Sequence, residues 1–424
     1  MSSRERGRNG HTFRMQGRRL APHSSACGGR VVSSELQTTL HRAELHASAL
    51  DAHALPSLWG ARPLIGEVRP GALRLRCAPE ELATVRRAYA GLHLEPLMRA
   101  MRPHNGKRPF APAARHRIAL LVLPDYPNLF HQFGSLVVAW AALQDSLRLM
   151  PMDGAPGSTA LPPAEDVEIL LLSNASLLPT ASFWSPGLAR TAPVFVRASP
   201  PLPPATYERI VLVQPATETW WWNVWARDAT DRRPVLSPLV SRMLPSLLPP
   251  GAPETARAAR DWTIPQALII HRPPPADRRV LNDDALALAL HASLAASGGA
   301  VRAATLIDLG QLSTRAQLAT IRRAGLLVGA HGAGLLWNLF LPEGAAVLEI
   351  LNARNANAYY ANHCLWSRRP YATWQNNDTS LEEAALDPVD GRKLDPFRNH
   401  VRVDVAGVVA VARELLLASP ARVV

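Results

Sequence analysis

Short apolar runs alternate with stretches of helical periodicity over most of the chain beyond residue 112. The runs short enough to be buried strands of a parallel sheet are Arg117–Leu123, Val167–Leu172, Arg209–Val213, Gln266–His271, Val301–Ile307, Leu326–Val328 and Val347–Ile350. Helices are predicted at Pro79–Met101, Asn128–Met150, Asn282–Ser297, Thr314–Ala324 and Gly334–Leu341. Strands that alternate with helices predict an α/β fold with two parallel sheets.

The same pattern divides the chain into four parts. Residues 1–112 show little periodicity apart from the helix at Pro79–Met101, so we predict an irregular N-terminal extension. Residues 113–255 and 256–375 each carry a strand–helix alternation, and the segment Pro250–Thr263 is the predicted hinge between them. Residues 376–424 form a tail, for which we consider a crossing back to the first domain.

The composition is that of a folded protein with a basic balance. Hydrophobic residues make up 47% and charged residues 19% of the 424 positions. The net charge of +12 comes almost entirely from arginine, since Lys107 and Lys393 are the only lysines. This balance permits acidic ligands such as nucleotide diphosphates. A nucleic-acid partner is disfavoured, because no zinc-finger spacing and no aromatic RNA-binding strand occur.

Three features bear on the cellular compartment. No run of 18 apolar residues occurs, so the sequence predicts no ordinary membrane span. The first 30 residues hold seven arginines and one acidic residue, which fits either a targeting arm or an irregular start. The cysteines Cys27, Cys77 and Cys364 are too scattered to indicate a disulfide framework or a metal site.

The segment Leu326–Ile350 carries most of the functional information. It is predicted to form a buried strand, a glycine-rich turn, a helix and a second buried strand. Gly332 and Gly334 let the backbone approach a ligand closely, and the start of the following helix would present free N–H groups to a phosphate. Close packing without any ligand explains the bare glycine pattern equally well.

Other motif families fit this segment poorly. A histidine-glycine-alanine-glycine turn is also found in esterases, but the Gly-x-Ser-x-Gly nucleophile elbow that they need is absent from the chain. A P-loop is excluded, because neither lysine follows the required glycine spacing. A nicotinamide site is disfavoured, because His331–Gly334 has only two close glycines, although Glu349 follows Gly334 by 15 residues.

The full segment resembles the signature of glycosyltransferase family 61, which includes plant xylosyl- and arabinosyltransferases and animal O-linked N-acetylglucosaminyltransferases. The matching positions are His331, Gly332, Ala333, Gly334, Asn338, Phe340, Pro342, Gly344, Glu349 and Ile350. Two further blocks, His271–Asp284 and Tyr126–His131, look like the arginine–asparagine and asparagine–aromatic–histidine blocks of that family. The resemblance extends over residues 118–375 and is strongest over 264–350.

The resemblance implies a GT-B fold, in which two Rossmann-like domains face a cleft. Residues 113–255 would then bind the acceptor, and residues 256–375 would bind a nucleotide-sugar donor. The implied reaction moves a hexosyl or pentosyl unit from the donor, with UDP as the expected nucleotide, to a glycan or glycoprotein hydroxyl with inversion. No cofactor and no metal are expected.

The resemblance also implies a Golgi or secretory lumen, although the sequence shows no signal or anchor. A catalytically inactive nucleotide-sugar-binding protein is the alternative function.

The expected donor site combines the glycine turn with arginines. The diphosphate is expected to contact the backbone of Gly332, Ala333 and Gly334 together with Arg279, with Arg278 and Arg272 as alternatives. A solvated loop beside Pro273–Pro275 is the competing interpretation of these arginines.

Three more residues of the signature each have two interpretations. His331 contacts either the ligand or its own loop, and Asn338 either caps the turn or touches the ligand. Glu349 either binds the ribose or pairs with a buried arginine. Asn282 is expected to cap the helix that follows it.

The acceptor side is expected in the first domain. His131 or Asp125 is the candidate base, with Asp228 as a rival, because both lie near the loop after the first predicted strand. His131 is otherwise a packed helix residue. Trp221, Trp222 and Trp225 are candidates for an acceptor shelf, since aromatic faces stack on sugars, and core packing competes for at least two of these rings.

Overall fold

A computed structural model describes residues 24–26, 31–34, 36–45, 72–88, 95–104, 109–122, 129–149, 166–172, 184, 188–189, 193–195, 202–214, 216, 219–222, 227–248 and 266–418. The α-helices of these residues are α1 (Pro79–Ala88), α2 (Glu95–Ala100), α3 (Leu129–Leu149), α4 (Arg233–Leu247), α5 (Asp283–Ser297), α6 (Thr314–Ile321), α7 (Tyr359–Trp366) and α8 (Val405–Ala418). Short 3-10 helices lie at Trp220–Trp222, Leu309–Gln311, Ala333–Phe340, Thr379–Leu381 and Pro396–Arg398.

The strands are β1 (Ser24–Ala26), β2 (Val31–Ser33), β3 (Gln37–Leu45), β4 (Leu73–Leu75), β5 (Met101–Pro103), β6 (Ile118–Val122), β7 (Val167–Leu171), β8 (Val194–Phe195), β9 (Ala205–Val213), β10 (Gln266–Ile270), β11 (Ala303–Ile307), β12 (Ala324–Ala330), β13 (Ala346–Leu351), β14 (Tyr371–Gln375), β15 (Glu382–Glu383) and β16 (His400–Val401). The predicted α/β class is confirmed, and the predicted elements from β6 to β13 lie within a few residues of their expected bounds.

The first sheet is mixed. Its strands follow the order β1-β2-β3-β9-β6-β7-β8, with β4 and β5 attached beside β3. Strands β9, β6, β7 and β8 are parallel, whereas β3 pairs with β9 in the antiparallel sense. The strand β6 is buried along its whole length, which explains its uninterrupted apolar sequence.

Residues 1–112 contain regular structure where the prediction was an irregular extension. Strands β1 to β5 and helices α1 and α2 lie in the described parts of this segment, and β3 pairs with β9 from Gln37 opposite Val213 to Leu45 opposite Ala205. The start of β3 is polar yet buried. Thr39 donates to Gln37 and lies 2.8 Å from the hydroxyl of Ser146 on α3. A strand whose buried positions are hydrogen-bonded polar residues shows no apolar run, so periodicity does not detect it.

The second sheet is entirely parallel, with the order β11-β10-β12-β13-β14. The chain moves from β10 outward to β11 and then returns to β12 on the other side. The strand order therefore reverses between β10 and β12, which makes a crevice at their carboxyl ends. Alternate residues of these strands face two different apolar clusters, so both faces of the sheet are covered.

The C-terminal tail stays with the second sheet. Helix α8 packs beside α5 and against β13 and β14, and its Val408, Ala412 and Leu415 are buried there. Their spacing places them on one face of a helix. The tail therefore covers a face of its own domain, which corrects the prediction of a crossing back to the first domain. The predicted hinge at Pro250–Thr263 lies outside the described residues.

The two sheets share a continuous apolar core. Helix α3 of the first half packs against the 3-10 helix Ala333–Phe340 of the second half, and buried residues from both halves form one cluster. An aromatic junction lies within this core, formed by Phe130, Trp221, Tyr360, His363 and Trp366. The ring of His363 stacks on Phe130 at 5.7 Å and lies 4.4 Å from Trp221, centroid to centroid. Through Tyr360 and His363, helix α7 of the second half packs against Phe130 of the first half.

The junction predicts how stability depends on pH. His363 is fully buried, burial lowers its pKa to about 3, and neither ring nitrogen has a hydrogen-bond partner among the described residues. Its folded-state pKa lies below the value of about 6.5 expected in the unfolded chain, so protonation favours unfolding. Stability should stay level above pH 6.5 and fall as pH decreases, with His363 accounting for about 2 kcal/mol between pH 7 and 5.

Urea unfolding at pH 7 and pH 5 measures this effect. His363→Phe keeps the stacking on Phe130 and should make the loss between the two pH values smaller by about 2 kcal/mol. His291→Gln, at an exposed position of α5, should leave the loss unchanged. A His363→Phe variant with the wild-type pH dependence would contradict the assignment.

Candidate functional site

The predicted donor-site residues meet where the strand order reverses. Arg272 follows β10, and His331 and Gly332 follow β12, so all three lie at the carboxyl ends of the two strands that flank the crevice. Open α/β sheets bind their ligands at this place. The Nη1 atom of Arg272 donates to the carbonyl oxygen of His331 at 3.4 Å. The structure therefore brings together residues that are 59 positions apart in the sequence.

The glycine turn is filled by a guanidinium. A Cβ atom at Gly332 would lie 2.5 Å from Nη1 of Arg272, so a larger residue here would displace the guanidinium. At Gly334 a Cβ would lie 3.3 Å from the side chain of Ile270, and Ala333 packs against the core. The turn therefore presents the charge of Arg272, where the sequence predicted an open row of backbone amides.

Three guanidiniums surround one carboxylate beside this turn. Asp277 lies 3.2 Å from Nη2 of Arg272, 3.6 Å from Nη2 of Arg278 and 2.5 Å from Nε of Arg398. Burial alone would raise the pKa of Asp277, but the three cations outweigh it and hold that pKa below its usual value. This arginine cluster, formed by Arg272, Arg278, Arg398 and Asp277, has two more positive than negative charges. An anion is the ligand that such an excess favours.

Arg279 has a supporting place beside the cluster. Its Nε donates to the backbone oxygen of Arg272 at 3.2 Å, and its backbone N–H donates to Nδ1 of His400 at 3.2 Å. Of the three predicted arginines, Arg272 and Arg278 therefore lie in the cluster, and Arg279 holds the backbone of Arg272. Arg278 has a φ of 51°, a left-handed conformation that is uncommon for residues other than glycine and recurs at functional sites.

A small cavity opens between the ends of β12 and β13. It is lined by Arg278, Ala330, His331, Ile350, Asn352, Asn355, Asn399 and Val401. Two buried donors at this cavity, Nε of Arg278 and Nδ2 of Asn355, have no hydrogen-bond partner in the described part of the chain. Buried donors in native proteins are nearly always paired. The cavity therefore fits a group that offers oxygen acceptors, supplied by a ligand or by water.

Sequence reasoning missed five polar residues of the cluster and the cavity, which are Asp277, Asn352, Asn355, Arg398 and Asn399. Asn352 and Asn355 follow the end of β13, so their position after a buried strand was a usable signal. Arg398 and Asn399 belong to the C-terminal tail. Arg398 is 121 positions from Asp277, its partner in the arginine cluster. Without an expectation that this segment lies over the sheet, the sequence contains no signal for them.

Glu349 holds His331. Its carboxylate is wholly buried, with Oε1 lying 2.5 Å from Nδ1 of His331 and Oε2 accepting from the hydroxyl of Tyr371 at 2.5 Å. Neither predicted role, ribose contact or pairing with a buried arginine, agrees with this geometry. Since Nδ1 of His331 is engaged, Nε2 is the ring nitrogen left for a ligand at the cavity.

The helix after the turn is a structural support. It is a 3-10 helix, Ala333–Phe340, in place of the α-helix that its composition suggested. Asn338 is wholly buried and donates to the carbonyl oxygen of Leu335 at 2.7 Å, so its side chain does not reach a ligand. Tyr360 on α7 donates to the carbonyl oxygen of Gly332 at 2.6 Å and fixes the start of this helix.

A row of rings that includes two of the residues predicted for the acceptor side joins the two halves. His131 lies 4.9 Å from Trp222, Trp222 lies 5.1 Å from Tyr359, and Tyr359 stacks on His331 at 6.0 Å, all between ring centroids. Burial lowers the pKa of His131 to about 4, so the ring is neutral at pH 7. Tyr359 is an addition to the residues predicted from the sequence.

The other predicted acceptor-side residues differ in their placement. Trp221 is 1% exposed and belongs to the aromatic junction, so core packing explains it. Asp228 lies 3.4 Å from Arg232, and its backbone N–H donates to the side-chain oxygen of Asn362 on α7. Asp125 and Trp225 lie outside the described residues.

Metal-binding clusters and membrane-spanning helices are both absent from the described residues. No group of three or more histidine, cysteine, aspartate or glutamate side chains is arranged to hold a metal ion there. None of the helices in the described ranges has both the length and the apolar character needed to cross a bilayer.

Comparison with known proteins adds one relationship. No protein-family model matches the chain. The EGF domain-specific O-linked N-acetylglucosamine transferase of Drosophila melanogaster is 35% identical over 142 residues, which are 33% of this chain. The match covers 26% of that relative, so the chain spans about a quarter of its length. Together with the α/β fold, this similarity supports a relationship with glycosyltransferases.

The end of the 3-10 helix yields a stability prediction. Arg369 is partly buried and donates to the carbonyl oxygens of Pro342 at 2.5 Å and Leu341 at 2.6 Å. Arg369→Met should lower the free energy of unfolding by about 3 kcal/mol, because two charge-assisted bonds are lost and two carbonyls lose a partner. Urea unfolding measures the change.

The neighbouring Arg368 is the matched control. Its guanidinium is 67% exposed and lies 3.7 Å from Asp231, so Arg368→Met should change stability by less than about 0.5 kcal/mol. Equal effects of the two substitutions would mean that the bonds of Arg369 do not stabilise the end of the 3-10 helix Ala333–Phe340.

Proposed function

We propose that this protein is a glycosyltransferase of the family 61 type, with its nucleotide-sugar donor bound at the carboxyl ends of β10, β12 and β13. The observation that carries the proposal is the arginine cluster, which has excess positive charge beside two unpartnered buried donors at the crevice. The signature that runs from His331 to Ile350 and the similarity to a known glycosyltransferase support the same conclusion.

The arginine cluster suits the chemistry of the leaving group. Departure of a sugar from a nucleotide diphosphate leaves negative charge on the diphosphate, and preorganised cations stabilise that charge without a metal ion. We assign this role to Arg272 and Arg278, with Asn355 as a further donor. UDP is the proposed nucleotide, and inversion at the sugar carbon is the proposed course. We further propose that the two halves act as the two domains of a GT-B enzyme.

The row of rings supports an acceptor site between the halves. Trp222 and Tyr359 are partly buried aromatic residues beside His331, and sugars stack on such faces. His131 at the end of this row is neutral at pH 7 and is our candidate for taking the acceptor proton. Asp125 stays a rival candidate. The proposed acceptor is a glycan or glycoprotein hydroxyl, by analogy with the relative, whose name specifies EGF domains.

A secretory compartment agrees with one structural feature. Cys77 is disulfide-bonded, and structural disulfides persist mainly in oxidising compartments. We therefore propose a secretory lumen, including the Golgi, as the location.

A donor screen tests the function. The protein is incubated with a panel of UDP-sugars and a mixture of glycoprotein and glycan acceptors, and release of UDP and transfer of labelled sugar are measured. Transfer from at least one donor is the expected result. Tight UDP binding without transfer or hydrolysis of any donor would favour an inactive nucleotide-sugar-binding protein, and absence of UDP binding would reject the donor site.

Two adjacent arginines give a sharper prediction. Arg278→Ala should weaken UDP binding by about 1.5–3 kcal/mol, roughly tenfold to a hundredfold, because it removes a charge-assisted contact. Arg279→Ala removes a bond to the Arg272 backbone and should weaken binding less. Calorimetric titration with UDP measures both. Arg302→Ala, at an exposed position before β11, is the control and should bind normally. A larger loss in Arg279→Ala than in Arg278→Ala would reverse the assignment.

A further inference from the structure

We propose that Glu349 and Tyr371 are positioning residues, which hold His331 so that its Nε2 accepts a hydrogen bond from a hydroxyl group of the donor nucleotide sugar. This inference rests on the proposed function, because it concerns the ligand of the same site. It assigns Glu349 an indirect role through His331, where the sequence had left open either a ribose contact or a pair with a buried arginine.

Glu349 has no route to a ligand of its own. It lies inside β13, in register with Gly329 on β12 and Thr373 on β14, and its side chain is 0% exposed. Both carboxylate oxygens are engaged, one with His331 and the other with Tyr371. A buried carboxylate without partners is strongly unfavourable, so these contacts hold all three side chains in place.

Tyr371 completes the arrangement as a donor. Burial raises the pKa of its hydroxyl, and the neighbouring Glu349 carboxylate raises that pKa further, so the hydroxyl keeps its proton. It donates to Oε2, and the carboxylate offers Oε1 to the histidine. Glu349 is thus an acceptor on both sides.

This arrangement selects one tautomer of His331. An ionised carboxylate only accepts hydrogen bonds, so the proton of the neutral ring must lie on Nδ1, which leaves Nε2 as an acceptor. The rings of Tyr359 at 6.0 Å and Tyr360 at 5.3 Å flank the imidazole and restrict its rotation. His331 also lines the cavity beside Arg278.

A hydrogen-bond acceptor at Nε2 of His331 distinguishes ligands that carry hydroxyl groups from ligands that carry only phosphoryl oxygens. The guanidiniums of Arg272, Arg278 and Arg398 are donors only and suit phosphoryl oxygens. Nε2 of His331 requires a donor in return, and a nucleotide sugar supplies hydroxyl groups on its ribose and on its sugar. Inorganic pyrophosphate at neutral pH offers the charge without those hydroxyls. The site should therefore respond differently to these ligands when the position of His331 is disturbed.

The test compares three ligands on four proteins. Wild type, Glu349→Leu, Glu349→Gln and Tyr371→Phe are titrated calorimetrically with pyrophosphate, UDP and the UDP-sugar that is turned over in the donor screen. Glu349→Leu should lose about tenfold to a hundredfold in affinity for UDP or the UDP-sugar, by analogy with the loss caused by removing the hydrogen-bond partner of a metal-ligating histidine. Its affinity for pyrophosphate should stay within about twofold of wild type, because the guanidiniums that bind it are unchanged.

The conservative variants provide the control. Glutamine keeps an oxygen acceptor, so Glu349→Gln should recover part of the lost affinity, and Tyr371→Phe should show a smaller loss with the same ligand selectivity. If the affinity falls for both UDP and the UDP-sugar, the bonded hydroxyl belongs to the ribose. If the affinity falls only for the UDP-sugar, the hydroxyl belongs to the sugar. Nitrogen-15 NMR of the histidines, with His331→Asn to assign the signal, should show the proton on Nδ1 in wild type and a mixture of tautomers in Glu349→Leu.

Three results would overturn the proposal: a proton on Nε2 in wild type, a loss for pyrophosphate as large as the loss for the UDP-sugar, or unchanged UDP and UDP-sugar affinity in a folded Glu349→Leu protein. If Glu349→Leu unfolds, the ligand selectivity of Tyr371→Phe decides instead. Failure of the proposed function has a different signature. In that case wild type binds neither UDP nor any UDP-sugar, even though the histidine signal shows the pairing with Glu349.

Discussion

The buried contact between Glu349 and His331 sets the geometry of the candidate site. Glu349 lies inside β13, His331 follows β12, and Tyr371 begins β14, so one hydrogen-bonded unit joins three neighbouring strands of the second sheet. The sheet register fixes where Glu349 lies, and the cost of an unpaired buried carboxylate then fixes His331. The position of the glycine turn follows, because Gly332 is the next residue and its carbonyl oxygen is held by Tyr360.

The arginine cluster adds an electrostatic constraint to this frame. Arg272, Arg278 and Arg398 share a single carboxylate, and burial together with the neighbouring Arg278 lowers the pKa of Arg272. Mutual repulsion among buried cations destabilises the free site, and an anion bound between them relieves it. A ligand that binds only the folded protein also stabilises the fold by mass action. The excess positive charge of the cluster thus favours a bound anion.

The sequence predicted the parts of the fold that are governed by local patterns. Buried parallel strands such as β6, β10 and β12 are continuous apolar runs, and the glycine turn after β12 located the crevice. The sequence did not predict the features that depend on contacts between residues distant in the chain. The polar strand β3 is buried through hydrogen bonds to α3, and Asn282, which has a capping position, bonds to the backbone of Val403 in place of its own helix. Arg398 and Asn399 reach the site because the part of the tail that contains them lies beside Val280, which pairs with Val401. The partners of Glu349, His331 and Tyr371, were not predicted, because a sequence does not show which side chains a buried carboxylate meets.

Helix α7 makes the site and the packing between the two halves depend on each other. One of its residues, Tyr360, bonds to the glycine turn and also lies 5.9 Å from Phe130 of α3, between ring centroids. One turn further, His363 fills the aromatic junction without a hydrogen-bond partner among the described residues. Aromatic pairs prefer stacked or edge-to-face arrangements, and the bond from Tyr360 to Gly332 is directional as well. The rings of the junction therefore hold α7 against α3, and the bond from Tyr360 holds α7 against the glycine turn, so α7 connects the turn to the packing between the two halves.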